Sequence, residues 1–349
     1  MKACAAFMNG QKPATQASNP NEKTMPAPVK IGLIGLGRWG KVYLKTLLGL
    51  RPRCQVTHIC TSRPQDMGQT AYPITVLSDW RSVLRSDCEA VILAVPPAVQ
   101  PEILEAALQL HKPVLAEKPL CLDLATAERL HRLIESSASP VLVDHIHLFN
   151  PWFQALKRAI ASSGEKIQVI LSEGMNLGPF HAHTPALWDW APHDLSICLD
   201  LFGGAPKHLD ALAGPPAPNG SPETVSIRLD YPNGAGAWIQ AGALSSKKRR
   251  QLSVFTDTHW YRMDDLAQEE KVAVFKWSFS ARYTQAPPGL QPESHLKPVS
   301  NLTPLESLVT YFLDGLSGGD RVYFGTSLAL EVIRLLGKVE SAIGARNRA

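Results

Sequence analysis

The chain has 349 residues, 45% hydrophobic and 19% charged, which excludes a wholly disordered chain and a membrane protein of many spans. Thirty-five Lys and Arg against 31 Asp and Glu leave a formal charge of +4, too small and too dispersed for a nucleic-acid surface. The length suits about two domains.

Residues 1–28 carry neither a strand nor a helix period and read as a disordered extension. Met25, just before the first strand, is a candidate true start. Cys4, Cys54, Cys60, Cys88, Cys121 and Cys198 form no CxxC pair and read as free thiols. With no run of about 18 apolar residues, a cytoplasmic location without membrane contact is expected.

From Val29 the text alternates strand and helix. Val29–Ile34 is an apolar run, followed by the helical pattern Lys41–Leu50. Further strands are expected at Gln55–Cys60, Ala90–Val95, Pro113–Ala116 and Val141–Asp144, with helices at Pro101–Leu110 and Leu124–Ser136. Near-continuous apolar strands such as AVILAV belong to a parallel sheet covered on both faces, so residues 29–148 are expected to form a doubly wound Rossmann domain.

After Asn150-Pro151 the pattern changes. A helix at Trp152–Ala161 and a strand at Ile167–Asn176 lead into period-2 text, with Val225, Ile227, Leu229 and Tyr231 apolar and Asn233-Gly234 as the hairpin turn before Ala237–Ala241. Strands at Leu252–Thr256, Trp260–Met263 and Lys271–Phe275 and helices at Pro304–Leu316 and Thr326–Ile343 follow. Residues 149–349 are therefore expected to form an α+β domain with a large, mostly antiparallel open sheet, its closing helices packed near the domain junction. The uncovered sheet face predicts a homodimer or homotetramer. The basic run Lys247–Arg250 reads as a solvated hairpin end, with a phosphate contact as the alternative.

Gly35, Gly37 and Gly40 form GxGxxG between a strand and a helix, where the backbone approaches a pyrophosphate and the helix N-terminus attracts it. Arg38 and Trp39 lie inside this loop; Val95, Pro96, Pro97, Glu117 and Lys118 follow the third and fourth strands at the ligand-binding edge. All are expected cofactor contacts. No Asp or Glu stands between Gln55 and Gln65 to take ribose hydroxyls, whereas Ser62 and Arg63 suit a 2′-phosphate. NADP(H) is therefore favoured over NAD(H), the alternative being that Arg63 is a solvated loop charge.

Lys118, at the end of the fourth strand, points toward the nicotinamide. Pro192 suits a helix start and Gly203-Gly204 its end, which places His193 at a helix N-terminus, where the dipole keeps the imidazole neutral as a general base requires. Asp189, four residues earlier, is positioned to orient that imidazole. His145, His147, His181 and His183 form two HxH pairs without a nearby cysteine, which fits lining of a polar cleft better than a metal site, so no metal is expected. His147, Asn176, Trp188 and Asp194 complete the candidate substrate contacts.

GLIGLGRWG, AVPP, AEKPL and the Asp189-His193 pair together resemble the glucose-fructose oxidoreductase, inositol dehydrogenase and rhizopine-catabolism (Gfo/Idh/MocA) family, from about Val29 to the end. NLGPF, LWDWAPHDLS and SSKKRRQLSVFTDTHWYRMDDL look like its polysaccharide and nucleotide-sugar branch. The resemblance implies an NAD(P)-dependent oxidoreductase acting on a sugar or nucleotide sugar, with Lys118 as catalytic lysine, His193 as acid/base and Asp189 beside them. An NAD-dependent glycoside hydrolase and a non-catalytic cofactor-binding sensor are the alternatives. Ser196 stands where the family often has an aspartate, and VDHIHLFNP lacks an arginine common in relatives, so substrate recognition is expected to differ.

Overall fold

The computed structural model describes residues 27–346, except 68, 69, 71, 181–183, 217–221, 278–290 and 322. The expected N-terminal extension up to residue 26, His181 and His183 lie outside the described residues. Among the described residues no helix is long and apolar enough to cross a membrane.

Six short strands make the first sheet: β1 (Val29–Ile34), β2 (Cys54–Cys60), β3 (Thr75–Leu77), β4 (Ala90–Leu93), β5 (Val114–Glu117) and β6 (Val141–Asp144). All are parallel, in the order β3-β2-β1-β4-β5-β6. The helices α1 (Arg38–Gly49), α2 (Trp80–Leu84), α3 (Gln100–Gln109) and α4 (Leu124–Glu135) connect them. Every residue of β4 is buried, which is why it reads as an unbroken apolar run. Burial of each such Val, Ile or Leu contributes about 1.5–3 kcal/mol. The order reverses between β1 and β4, and this opens the crevice at the carboxyl edge. The short edge strand β3 and the five-residue α2 escaped the sequence pattern, so Lys118 follows the fifth strand and not the fourth.

The second sheet has eight strands: β7 (Ile167–Leu177), β8 (His208–Ala213), β9 (Thr224–Asp230), β10 (Gly236–Gly242), β11 (Leu244–Thr256), β12 (His259–Asp264), β13 (Val272–Lys276) and β14 (Ser294–His295). Their order is β14-β13-β12-β11-β7-β10-β9-β8, antiparallel throughout except for the β7–β10 pair. After α5 (Pro151–Ser163), Ile170, Ile227, Ile239 and Val254 are buried on one face of the sheet, which α6 (Ala186–Phe202) covers through β7, β9 and β10. Register places Leu171, Leu212 and Trp238 on the opposite face, where they are 43%, 55% and 44% exposed.

The closing helices return to the junction between the sheets. α7 (Pro304–Leu316) begins with a capping box between Thr303 and Glu306 and packs on α1. Before α8 (Ser327–Arg346), the Gly325 N–H donates to the Val141 carbonyl at 2.7 Å and Phe324 bridges Leu142, covering the free edge of β6. α8 then packs against both α4 and α6.

Candidate active site

The glycine turn follows β1 directly. Gly35 has φ +96°, and a Cβ there would lie 2.3 Å from the Ala94 carbonyl oxygen. At Gly40 a Cβ would stand 2.1 Å from the Gly35 carbonyl oxygen, so only glycine lets α1 start so close to the turn. Gly37 caps α1 without a side-chain hydrogen bond, and a Cβ there would meet nothing within 4 Å. The first N–H groups of a helix have no intrahelical partner, and an open turn at such an N-terminus is the arrangement that receives a pyrophosphate. These residues fit a dinucleotide.

A cleft of about 930 Å³ extends from this turn and is lined by Gly37, Arg38, Trp39, Val95, Pro96, Pro97, Glu117 and Lys118, together with Asp189 from the second half of the chain. Ser62 and Arg63, both exposed, follow β2 on the same edge, where the Gly35 N–H donates to the Cys60 carbonyl at 2.9 Å. That puts them beside the glycine turn but outside the cleft lining.

Lys118 is the pivot of the site. Its side chain is only 7% exposed, and its Nζ donates to the Asp189 carbonyl at 2.6 Å and to Asp189 Oδ1 at 2.9 Å. A second cleft of about 850 Å³ shares Arg38, Trp39, Lys118 and Asp189 with the first and adds His147, Asn176, Trp190, His193, Lys248, Arg249 and Arg250. The imidazoles of His147 and His193 meet edge to face, with ring centroids 4.6 Å apart. Burial pushes the His193 pKa well below its usual value, and the nearby Lys118, His147 and Arg250 push it the same way. His193 is therefore neutral and able to accept a proton.

The expected origin of that neutrality needs correction. The helix begins at Ala186, with its first turn closed on the Pro185 carbonyl, so Pro192 lies inside it and His193 is two turns from the N-terminus. The helix dipole therefore contributes little. Proline is tolerated there because Leu187, Trp188, Ala191 and Leu195 are buried around it. The Asp189 carboxylate holds Lys118, while His193 Nδ1 is buried without a hydrogen-bond partner among the described residues, so Asp189 does not orient the imidazole through that nitrogen.

Two proposed substrate contacts are also corrected. Trp188 is buried and its indole N–H donates to Glu340 of α8 at 2.8 Å; Trp190 lines the cleft instead. Asp194 is fully buried and accepts from Ser172 Oγ at 2.5 Å and from Arg250 Nη1 at 3.0 Å on both carboxylate oxygens. The HxH pair at His145 and His147 lies past the end of β6 in a 3₁₀ turn, not on a strand. His147 reaches the cleft, whereas His145 is buried, its pKa pushed down to about 4 first by burial and then by Lys118.

The basic run is no hairpin end. Lys248, Arg249 and Arg250 lie within β11 and line the cleft. Arg250 is two residues before the buried Leu252, and that period-2 relation was the available signal. Beneath Lys118, Glu117 and Asp144 are register partners on β5 and β6. Burial pushes the Glu117 carboxyl up and that of Asp144 up to about 6, with the Tyr43 hydroxyl donating to Asp144.

A glycine turn and a switch point at one sheet edge define a dinucleotide-binding Rossmann protein, with a lysine-histidine cleft beside the crevice. The model described as "Oxidoreductase family, NAD-binding Rossmann fold" matches residues 29–145, and the GFO/IDH/MocA C-terminal domain model matches residues 181–262. The chain belongs to the Gfo/Idh/MocA oxidoreductase family. A crystal structure from Magnetospirillum magnetotacticum MS-1 is 34% identical, with a TM-score of 0.78, covering 89% of this chain and 99% of that one. UDP-N-acetylglucosamine 3-dehydrogenase GnnA from Acidithiobacillus ferrooxidans, at 18% identity and a TM-score of 0.77, shares the fold over 91% of this chain and 98% of its own. Myo-inositol dehydrogenase Hyg17 of Streptomyces leeuwenhoekii is 27% identical over 43% of this chain, and the match spans only 46% of that relative.

Proposed function

We propose that the protein is an NAD(P)-dependent dehydrogenase or reductase acting on a hydroxyl or keto carbon of a sugar or nucleotide sugar. The observation that supports this reading is the lining shared between the two clefts, to which both Lys118 and Asp189 belong. The nicotinamide, when bound, supplies the carbon that accepts or donates hydride. Neutral His193 takes the proton of the substrate hydroxyl, or returns it in reduction. An ammonium carries three donors. Two of those on Lys118 go to Asp189, and the third is directed to the substrate oxygen, where it stabilises developing alkoxide charge. The inositol and UDP-sugar dehydrogenases among the similar proteins support a polyhydroxylated ring as substrate.

NADP(H) is the favoured cofactor, read by Ser62 and Arg63, with NAD(H) the alternative. Titration with NADPH and NADH, followed by nicotinamide fluorescence, is expected to show tighter NADPH binding. Arg63→Ala should weaken NADPH about tenfold and leave NADH unchanged. A wild-type preference for NADH would remove the 2′-phosphate reading. A sugar screen with the preferred cofactor should change nicotinamide absorbance; free sugar released with no net change would transfer the site to glycoside cleavage.

The open sheet face is the proposed contact between copies of the chain, giving a homodimer or homotetramer. Leu171→Asp combined with Trp238→Asp is expected to lower the mass by light scattering from oligomer to monomer. A wild-type protein already monomeric would remove this assignment.

A further inference from the structure

We propose that Arg250 binds an oxyanion substituent, carboxylate or phosphate, on the sugar substrate; the inference rests on the hydride-transfer reading and names the substrate class. Arg250 sits where the catalytic cleft meets a small side pocket with room for little more than one water-sized group, and with His147 and Asp265 it lines both. The guanidinium is fixed on its inner side. Nη1 donates at 3.0 Å to both oxygens of the fully buried Asp194, which Ser172 also holds. The pair crosses the backbone of β7 at Gly174, where a Cβ would lie 2.3 Å from Arg250 Nη1 and 2.6 Å from Asp194 Oδ2. A glycine, a serine and a buried carboxylate thus build one seat for one cation.

That seat leaves the other side of the fork unused. The Arg250 side chain is 13% exposed, and its Nη2 is buried with no hydrogen-bond partner among the described residues. A buried donor on a charged group is costly to leave unsatisfied, and a planar guanidinium can take a carboxylate or phosphate through two N–H groups at once. The local charge favours the same ligand. Among the described residues Lys248 has no ion-pair partner, and it lines the same cleft as Arg250, Lys118 and His147. Asp265, the carboxylate lining both spaces, is occupied by Lys271 at 3.4 Å and by the Asn150 amide at 2.9 Å. A neutral ring would leave the Arg250 fork unpaired, whereas a ring bearing a carboxylate or phosphate satisfies it within the cleft that holds His193.

The test compares D-glucuronate and D-glucose 6-phosphate with D-glucose by calorimetry, with and without NADPH, on wild type, Arg250→Lys and Arg250→Met. At least one acidic sugar is expected to bind about tenfold or more tightly than glucose. Arg250→Lys keeps a cation against Asp194 but loses the fork, and it should erase that margin while NADPH affinity is unchanged; Arg250→Met should do the same if it folds. Which acid shows the margin identifies carboxylate or phosphate. Acidic sugars that bind no tighter than glucose, including no binding at all, overturn the proposal, as does a margin that survives in Arg250→Lys. Because binding is read without turnover, either failure leaves the hydride-transfer reading standing. A protein that binds the acid but no nicotinamide cofactor would overturn that reading alone.

Discussion

Lys118→Met is expected to lower turnover by about 10²- to 10³-fold, the range for removing one preorganised charge aimed at a developing oxyanion. Methionine keeps the length and apolar stem of the side chain, so the β5 edge and the cleft wall remain. The charge is what is lost, and it has a second reader. Lys118 is among the causes that hold the His193 pKa well below 6.5, after burial itself. A base whose pKa is depressed stays neutral, and active, down to that lowered value; the oxidation rate is lost only as pH falls through it. Removing the nearby cation raises that pKa toward its usual range, so the acid limb of the kcat profile must move to higher pH in Lys118→Met. His193→Asn should cost about 10²- to 10⁴-fold and abolish the limb. Turnover against pH for the wild type and both variants measures this. An acid limb in the same place, with turnover within about twofold, would remove Lys118 from the site.

Much of the fold was legible because its signals are local. A four-residue strand buried on both faces, such as β4, has to be apolar throughout, and a turn at φ +96° calls for glycine. The helix expected at Pro304–Leu316 is α7 with those same bounds, and a Thr303 capping box closes its start. Where two local rules competed, the stronger long-range term decided. Pro192 carries a start signal, but burial of Leu187 and Trp188 against the rest of the chain extends α6 six residues upstream. Contacts across the chain were not legible in the same way. Lys118 and Asp189 are 71 positions apart, and nothing near either residue states that they meet. Asp189 was paired with His193 because four positions apart in the chain is the kind of proximity a sequence displays, whereas the folded carboxylate turns to the cation from β5. Arg250 was hidden differently. Four adjacent cations look like a solvated run when counted together, and only the alternation of β11 marks Arg250, two residues before buried Leu252, apart from Arg249, which pairs with Glu173 and also lines the cleft.

Gly37→Ala and Gly40→Ala should both abolish dinucleotide binding, yet for separable reasons. At Gly40 the added methyl would lie 2.1 Å from the Gly35 carbonyl oxygen, a backbone atom that cannot rotate away. Relief requires α1 to move off the turn, which disorders its N-terminal amides and costs about 1–3 kcal/mol of overpacking. A drop in melting temperature should therefore accompany the loss of NADPH affinity. At Gly37 the methyl would meet no protein atom within 4 Å, and φ −70° with extended ψ is open to alanine. The fold should be nearly unaffected, with melting within about 1 kcal/mol of wild type, since lost capping and lost unfolded-state entropy partly offset each other. That methyl instead projects into the cleft lined by Gly37, Arg38 and Trp39, where the pyrophosphate would have to approach the backbone. Calorimetric titration with NADPH and thermal melts of both variants separate the two effects. An intact Gly37→Ala protein that binds NADPH within about threefold of wild type would show that the cofactor does not pass over this turn.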